Sequence, residues 1–258
     1  LAQSAPPAAA TSTTKAGAPV QLRMHPRVGD TLFTRLEQQM EVTAQRGHGS
    51  AVAPRPMTTS VMVSARTIVQ ASRARTTTVL TIVDSAEVHS SDAHGASMSA
   101  QAERSLRGQR LVLQLAEDGS VQSAKDARGV DVPQDMAEAM AAMPAVFPSR
   151  PVSVGDRWDR EMPLPTAGAL GTRGSAHVQA QFRLDSLARN GELAYVSMHG
   201  DIVSDADTQG SQLSGTLSGA MRVDRARGWM TESRFSVLIK SLVTPPAASG
   251  MAPMHFVT

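Results

Sequence analysis

Cysteine is absent from the 258 residues, and with it go disulfide staples, thiol nucleophiles, cysteine metal sites and a cysteine-linked lipid anchor. Aromatic residues make up only 3%, so a hydrophobic interior has to be assembled from Val, Leu, Ile, Met and Ala. No apolar run approaches the roughly 20 residues that a membrane-spanning helix needs. Charge of one sign is gathered nowhere: 25 Lys and Arg are interleaved with 23 Asp and Glu, without the basic block that marks a nucleic-acid or anionic-membrane patch. There is also no Gly-x-Ser-x-Gly elbow, no His-Glu-x-x-His pair and no phosphate-cradling glycine loop. Without an acid, base and nucleophile constellation the chain is expected not to be an enzyme, and no cofactor is implied.

What is present is patterned. Residues 1–20 are low-complexity Ala, Pro, Ser and Thr, which bury too little apolar surface to fold alone and read as an extended tail. The small-residue texture of "LAQSAPPAAA" resembles the surroundings of a signal-peptidase site, so export to a bacterial periplasm is expected. From 21 to 243 a period of two dominates. In "TLFTRLEQQMEV" Leu32, Leu36, Met40 and Val42 share one face and Arg35, Glu37, Gln39 and Glu41 the other, which predicts a half-buried strand. Similar alternation recurs through "SVMVSARTIV", "HVQAQFRLDSL", "QLSGTLSGAMRV" and "RFSVLIKSLV". Turn chemistry at "EDGS" (117–120), "RNGE" (189–192) and "DRARG" (224–228) separates several of these runs. The expected fold is mainly β: a single large, curved, antiparallel meander sheet.

One segment departs from period two. Met136, Met140 and Met143 fall at helical spacing in "VPQDMAEAMAAMP", Pro133 and Asp135 suit a first turn and Pro144 a stop, so a single short helix is expected at 133–143. It joins two halves, 21–132 and 145–243. Those halves carry the same signal. "VGDTL" at 28–32 and "VGDRW" at 154–158 each follow a proline-containing lead-in and precede an alternating strand. Gly29 and Gly155 can take positive φ, and Asp30 and Asp156 can bond backbone nearby, so the motif reads as a strand-launching turn with Leu32 or Trp158 as first inward anchor. The repetition hints at two related halves.

The best metal candidate is the loop pair His89 and His94 with Asp92 between them, which has no further strong ligand nearby and reads better as a polar connection. His177 and His199 lie on the arms of the "RNGE" hairpin; pairing Arg189 with Glu192 would put His199 opposite Phe182, so the two histidines are not a preset ligand pair. The order of "VGDTL", "EDGSV", a short helix, "FPSRPVSVGDRW" and "SGTLSGAMRVDRARGWM" resembles a group of uncharacterised exported bacterial β-rich proteins with a Gly-Asp-x-Trp motif. That resemblance brings no assigned reaction.

Two non-enzymatic functions are left. The first is an accessory subunit whose β body and tails dock on other protein subunits of a larger, membrane-embedded complex, with Pro6, Pro7, Met254 and Phe256 as docking residues of the tails at 1–20 and 244–258. A bacterial photosynthetic reaction-centre and light-harvesting assembly is the candidate of that kind. The second is a periplasmic carrier that holds a lipid or other apolar ligand between the sheet and the Met-striped helix.

Overall fold

A computed structural model describes residues 18–46, 56–73, 75–91, 95–141, 145–164, 176–204, 211–243 and 254–257. The first half is a meander of β1 (Thr31–Arg46), β2 (Met57–Arg73), β3 (Thr76–Ser90), β4 (Arg110–Ala116) and β5 (Val121–Asp126). The second half repeats it with β6 (Arg157–Leu164), β7 (Ala176–Ala188), β8 (Leu193–Ser204), β9 (Ser211–Asp224) and β10 (Trp229–Val243). A short β11 (Met254–Val257) lies between them, so the order is β5-β4-β3-β2-β1-β11-β10-β9-β8-β7-β6 in one sheet, antiparallel at every pairing. The mainly β meander expected from period two is what forms, and it is open: among the described residues the terminal strands β5 and β6 do not pair.

Helices differ from expectation. The one at 133–143 is present as α2 (Gln134–Ala141), but a second, α1 (Gly95–Leu106), follows β3. Its pattern was hidden because "GASMSAQAERSL" has few large apolar residues to mark a period. α1 packs on β3, where Glu103 Oε1 accepts the Val88 N–H at 2.8 Å. α2 does not lie across the sheet face. It packs against the edge strand β5 with Met136 and Met140 half-buried, so the methionine stripe covers an edge and adds no residue to the buried core among the described residues. Met143 lies outside the described residues.

The two Val-Gly-Asp turns are superimposable in their bonding. Gly29 and Gly155 sit at φ +91° and +95°, in the left-handed region that a side chain resists. Asp30 Oδ2 accepts the Arg27 N–H at 3.0 Å, and Asp156 Oδ2 the Ser153 N–H at 2.9 Å. Gly29 donates to the carbonyl of Val69 on β2, and Gly155 to that of Leu184 on β7. Each bonded neighbour lies beside a bulge, between Val69 and Ala71 or between Leu184 and Ser186. The same turn therefore launches β1 and β6 against the second strand of each half.

Both linkers close the end of the sheet that carries these turns. Val20 and Val152 exchange backbone bonds of 2.8 and 2.9 Å, Met24 donates to the Glu117 carbonyl and His25 to that of Gly228. Segment 20–25 thus crosses from the lead-in of β6 to the β4–β5 and β9–β10 turns, which makes Val20 part of the body and not of the tail. Segment 145–152 fills the space beside β6: Phe147 donates to the Asp118 carbonyl, Arg160 Nε to that of Ala145, and Trp158 Nε1 to that of Val146 at 3.0 Å. Leu22, Phe147 and Val152 are fully buried there. The core continues up the second half through Trp158, which stacks on Phe182 with ring centroids 5.7 Å apart, and the inward residues of β7, β8 and β9.

Candidate interaction seam

The sheet has two faces, and the cross-strand pairs show which is which. Trp158, Phe182, Met198, Gly219 and Phe235 are successive partners across β6 to β10, and the first three are buried. Phe235 therefore points to the core face, as do Val237 and Ile239 at period two. In the first half Leu36 pairs with Val63 and Val63 with the fully buried Ala86, which puts Leu36, Met40 and Val42 on that face as well.

Facing the core side has not buried these residues. Leu36 is 52% exposed, Phe235 47% and Val237 45%, whereas their partners further along the same face, Phe182 and Ala86, are sealed. The outer face of the same two strands is apolar in places too: Phe33 on β1 is 79% exposed and Leu238 on β10 43%. β1 keeps its predicted alternation only in part: Leu32, Met40 and Val42 are half-buried and Arg35, Glu37, Gln39 and Glu41 exposed, but Leu36 between them meets solvent because the core lies mainly to either side, under β2–β4 and under β6–β9.

The backbone is open at the same place. β11 pairs with residues 43–46 of β1 and 240–243 of β10, and with nothing below them. Residues 31–42 of β1 and 229–239 of β10 keep one edge each without a strand partner among the described residues. Glycine shapes one wall: a Cβ on Gly219 would meet the Phe235 ring at 2.5 Å, so the bare backbone lets that ring lie flat on β9 beside the seam.

The residues singled out from sequence divide by location. Gly29, Asp30, Gly155, Asp156 and Trp158 form the turns and core contact described above. His89 is an exposed residue of β3, Asp92 and His94 lie outside the described residues, and no cluster of metal-ligating side chains occurs among the described ones. His199 pairs with Gln181, one position from the expected Phe182, because the bulge at Leu184/Ser186 shifts the β7–β8 register. Pro6 and Pro7 lie outside the described residues. Met254 and Phe256, expected as anchors of a free tail, belong to β11 in this chain's own sheet. The seam itself was missed, although two signals point to it: Phe33 interrupts the polar face of β1, and "VLI" at 237–239 puts apolar residues on both faces of β10.

Two clefts lie elsewhere. One, of about 370 Å³, is lined by polar groups including Arg23, Arg75 and Glu117, which pair with one another at 3.1–3.6 Å. The other, of about 500 Å³, lies between α2 and the β5 end and is lined by Met136, Val130, Val132 and Leu111. On its rim the Asp126 carboxylate accepts N–H bonds from Val130 and Arg128 at 2.9 and 2.8 Å, which, with the Arg128 guanidinium, lower its pKa below the ordinary aspartate value.

Residues 133–230, from just before α2 to the start of β10, are similar to a family of unknown function (DUF6263). No curated protein and no solved structure matches the chain.

Proposed function

We propose that this chain is a non-enzymatic accessory subunit that docks by its β body onto another protein of a larger, membrane-associated assembly on the periplasmic side. The observation that carries this reading is the seam, where the strands on its two sides, β1 and β10, expose apolar side chains on both faces and edge backbone without a strand partner among the described residues. A soluble protein normally covers or charges such edges, since an open strand edge templates pairing with another chain. A contiguous exposed apolar patch likewise marks an interaction surface more often than a neutral one. No helix among the described residues is long and apolar enough to cross a membrane, so attachment is assigned to the partner.

The test is a tagged chain recovered from its native host after mild crosslinking, beside a Leu36→Glu/Val237→Glu variant. Both positions are exposed, so the variant is expected to keep its β circular dichroism and lose the partner. Equal partner recovery by the two proteins overturns the reading.

A carrier of an apolar ligand is the second reading. It is favoured by Leu36, Phe235 and Val237 sharing the core face, and by Met136 lining the cleft of about 500 Å³. Native mass spectrometry separates the two: a lipid adduct on the purified wild-type chain, with no protein partner, supports the carrier.

A further inference from the structure

We propose that the space between β1 and β10, below β11, is a slot for one extended strand supplied by another protein, which pairs with both edges at once. This rests on the docking reading and names its mode. The slot is framed at both ends. At the top β11 sets its width, because one strand pairs there with β1 and β10 together. At the bottom His25 is bonded to Gly228, and the Arg27–Asp30 turn carries the chain directly into β1, which ties the foot of β10 to the foot of β1.

β11 also sets the direction and register. Val257 is level with both Thr43 and Lys240, so a strand that continues its track would run antiparallel to both edges. Counting down from that level, Met40 faces Val237, Gln38 faces Phe235 and Leu36 faces Ser233 across the slot. Each of these three core-face rungs brings at least one apolar side chain. The occupant is therefore a segment of about 11 residues, roughly 35 Å long when extended, with apolar side chains at alternate positions. An acyl chain could cover Leu36, Phe235 and Val237 but could not bond the two rows of backbone N–H and C=O groups, whereas a strand does both.

The probe is a fluorescein-labelled twelve-residue peptide of alternating Val and Thr with a Lys at each end, titrated onto the full chain by anisotropy. Two further versions carry N-methyl groups on the Val amides or on the Thr amides. Successive amides of a strand point to opposite neighbours, so pairing on both sides predicts that each methylated version binds at least tenfold more weakly. Loss in only one version means a single edge is used, and no loss in either means an apolar contact of the carrier kind; both overturn the slot. Leu36→Glu is expected to weaken the unmodified peptide tenfold, while Tyr195→Ser on the outer face leaves it unchanged.

A second measurement removes dependence on peptide affinity. Appending the same twelve residues after Thr258 places the strand at millimolar or higher effective concentration. The slot-facing amides of 31–42 and 229–239, the alternate ones that β2 and β9 do not bond, should then exchange with solvent at least a hundredfold more slowly than in the unmodified chain. No slowing of these amides overturns the proposal, and so does protection of them already present in the unmodified chain, which would mean that its own residues or a second copy fill the slot. If Leu36→Glu/Val237→Glu loses the native partner yet both strand assays fail, docking stands and the strand mode falls.

Discussion

At the residue scale the twin turns divide their two shared letters, Gly and Asp, into different jobs. Gly155 at φ +95° is there for backbone reasons, and nothing lies within 4 Å of where its Cβ would be, so a substitution there meets strain and no clash. Gly155→Val is expected to cost about 1–3 kcal/mol, the range for a residue forced into a sparsely populated conformation. Asp156→Asn keeps an acceptor for the Ser153 N–H and is expected to cost less than about 1 kcal/mol. Urea unfolding of the two variants checks the order, and equal losses contradict the turn mechanism. Asp126 makes a different prediction. Its folded pKa is lowered, so the bonds that hold the loop to Val130 are present above the unfolded aspartate pKa and are lost as pH falls through the lowered value. A carbon-13 carboxyl titration should place Asp126 below the ordinary aspartate value; a value at or above it refutes this. The turns were legible in the sequence because Gly and Asp act within a few residues of themselves. The Asp126 turn is equally local, with partners two and four residues on and Gly129 at φ +85°, and went unread because no strongly alternating strand follows it.

At the element scale, legibility followed the range of the interaction. Strands announced themselves by alternation, and the hairpins at 117–120, 189–192 and 224–228 by turn residues. Burial did not, because whether an alternating strand is covered depends on what lies over it. β1 and β7 alternate alike, yet β7 buries Ala176, Val178, Ala180, Phe182 and Leu184 in succession while Leu36 on β1 stays half-exposed. The linkers were equally opaque. Segment 145–152 has no periodicity, but it places Phe147 and Val152 among the most buried residues and accepts bonds from Trp158 and Arg160. It does for the β6 edge what α2 does for β5, covering strands that would otherwise be open at the ends of the sheet. Phe147→Ala is therefore expected to cost about 3–5 kcal/mol, as for a large aromatic removed from a packed core. Met136→Ala, on a half-buried edge helix, should cost clearly less than the roughly 2–5 kcal/mol of a fully buried methionine. Thermal or urea unfolding of the pair measures the contrast, and reversal of their order would mean that α2 contributes more to the fold than the linker does.

At the scale of the whole molecule two five-stranded meanders are joined in two unlike ways. The turn-bearing end shares one core, in which Val69, Val79 and Leu115 of the first half pack with Leu22, Phe147 and the β7–β9 interior. The other join is β11 alone, four residues paired on each side. Each backbone bond contributes a net of roughly 0.5–1.5 kcal/mol, and fixing the same four residues costs about 1–2 kcal/mol apiece in backbone entropy, so β11 is close to break-even and cannot be what makes the halves one body. His255→Pro removes a backbone donor from the middle of β11, a strand paired on both sides where proline is not accommodated. The variant is expected to unfold in a single transition, with a midpoint little changed, because the shared core is untouched. Its effect should be local: in hydrogen exchange the amides of 43–46 and 240–243 that face β11 lose protection, while those around Val152, Phe182 and Val196 keep theirs. Two separate unfolding transitions would instead mean that β11, and not the shared core, couples the halves.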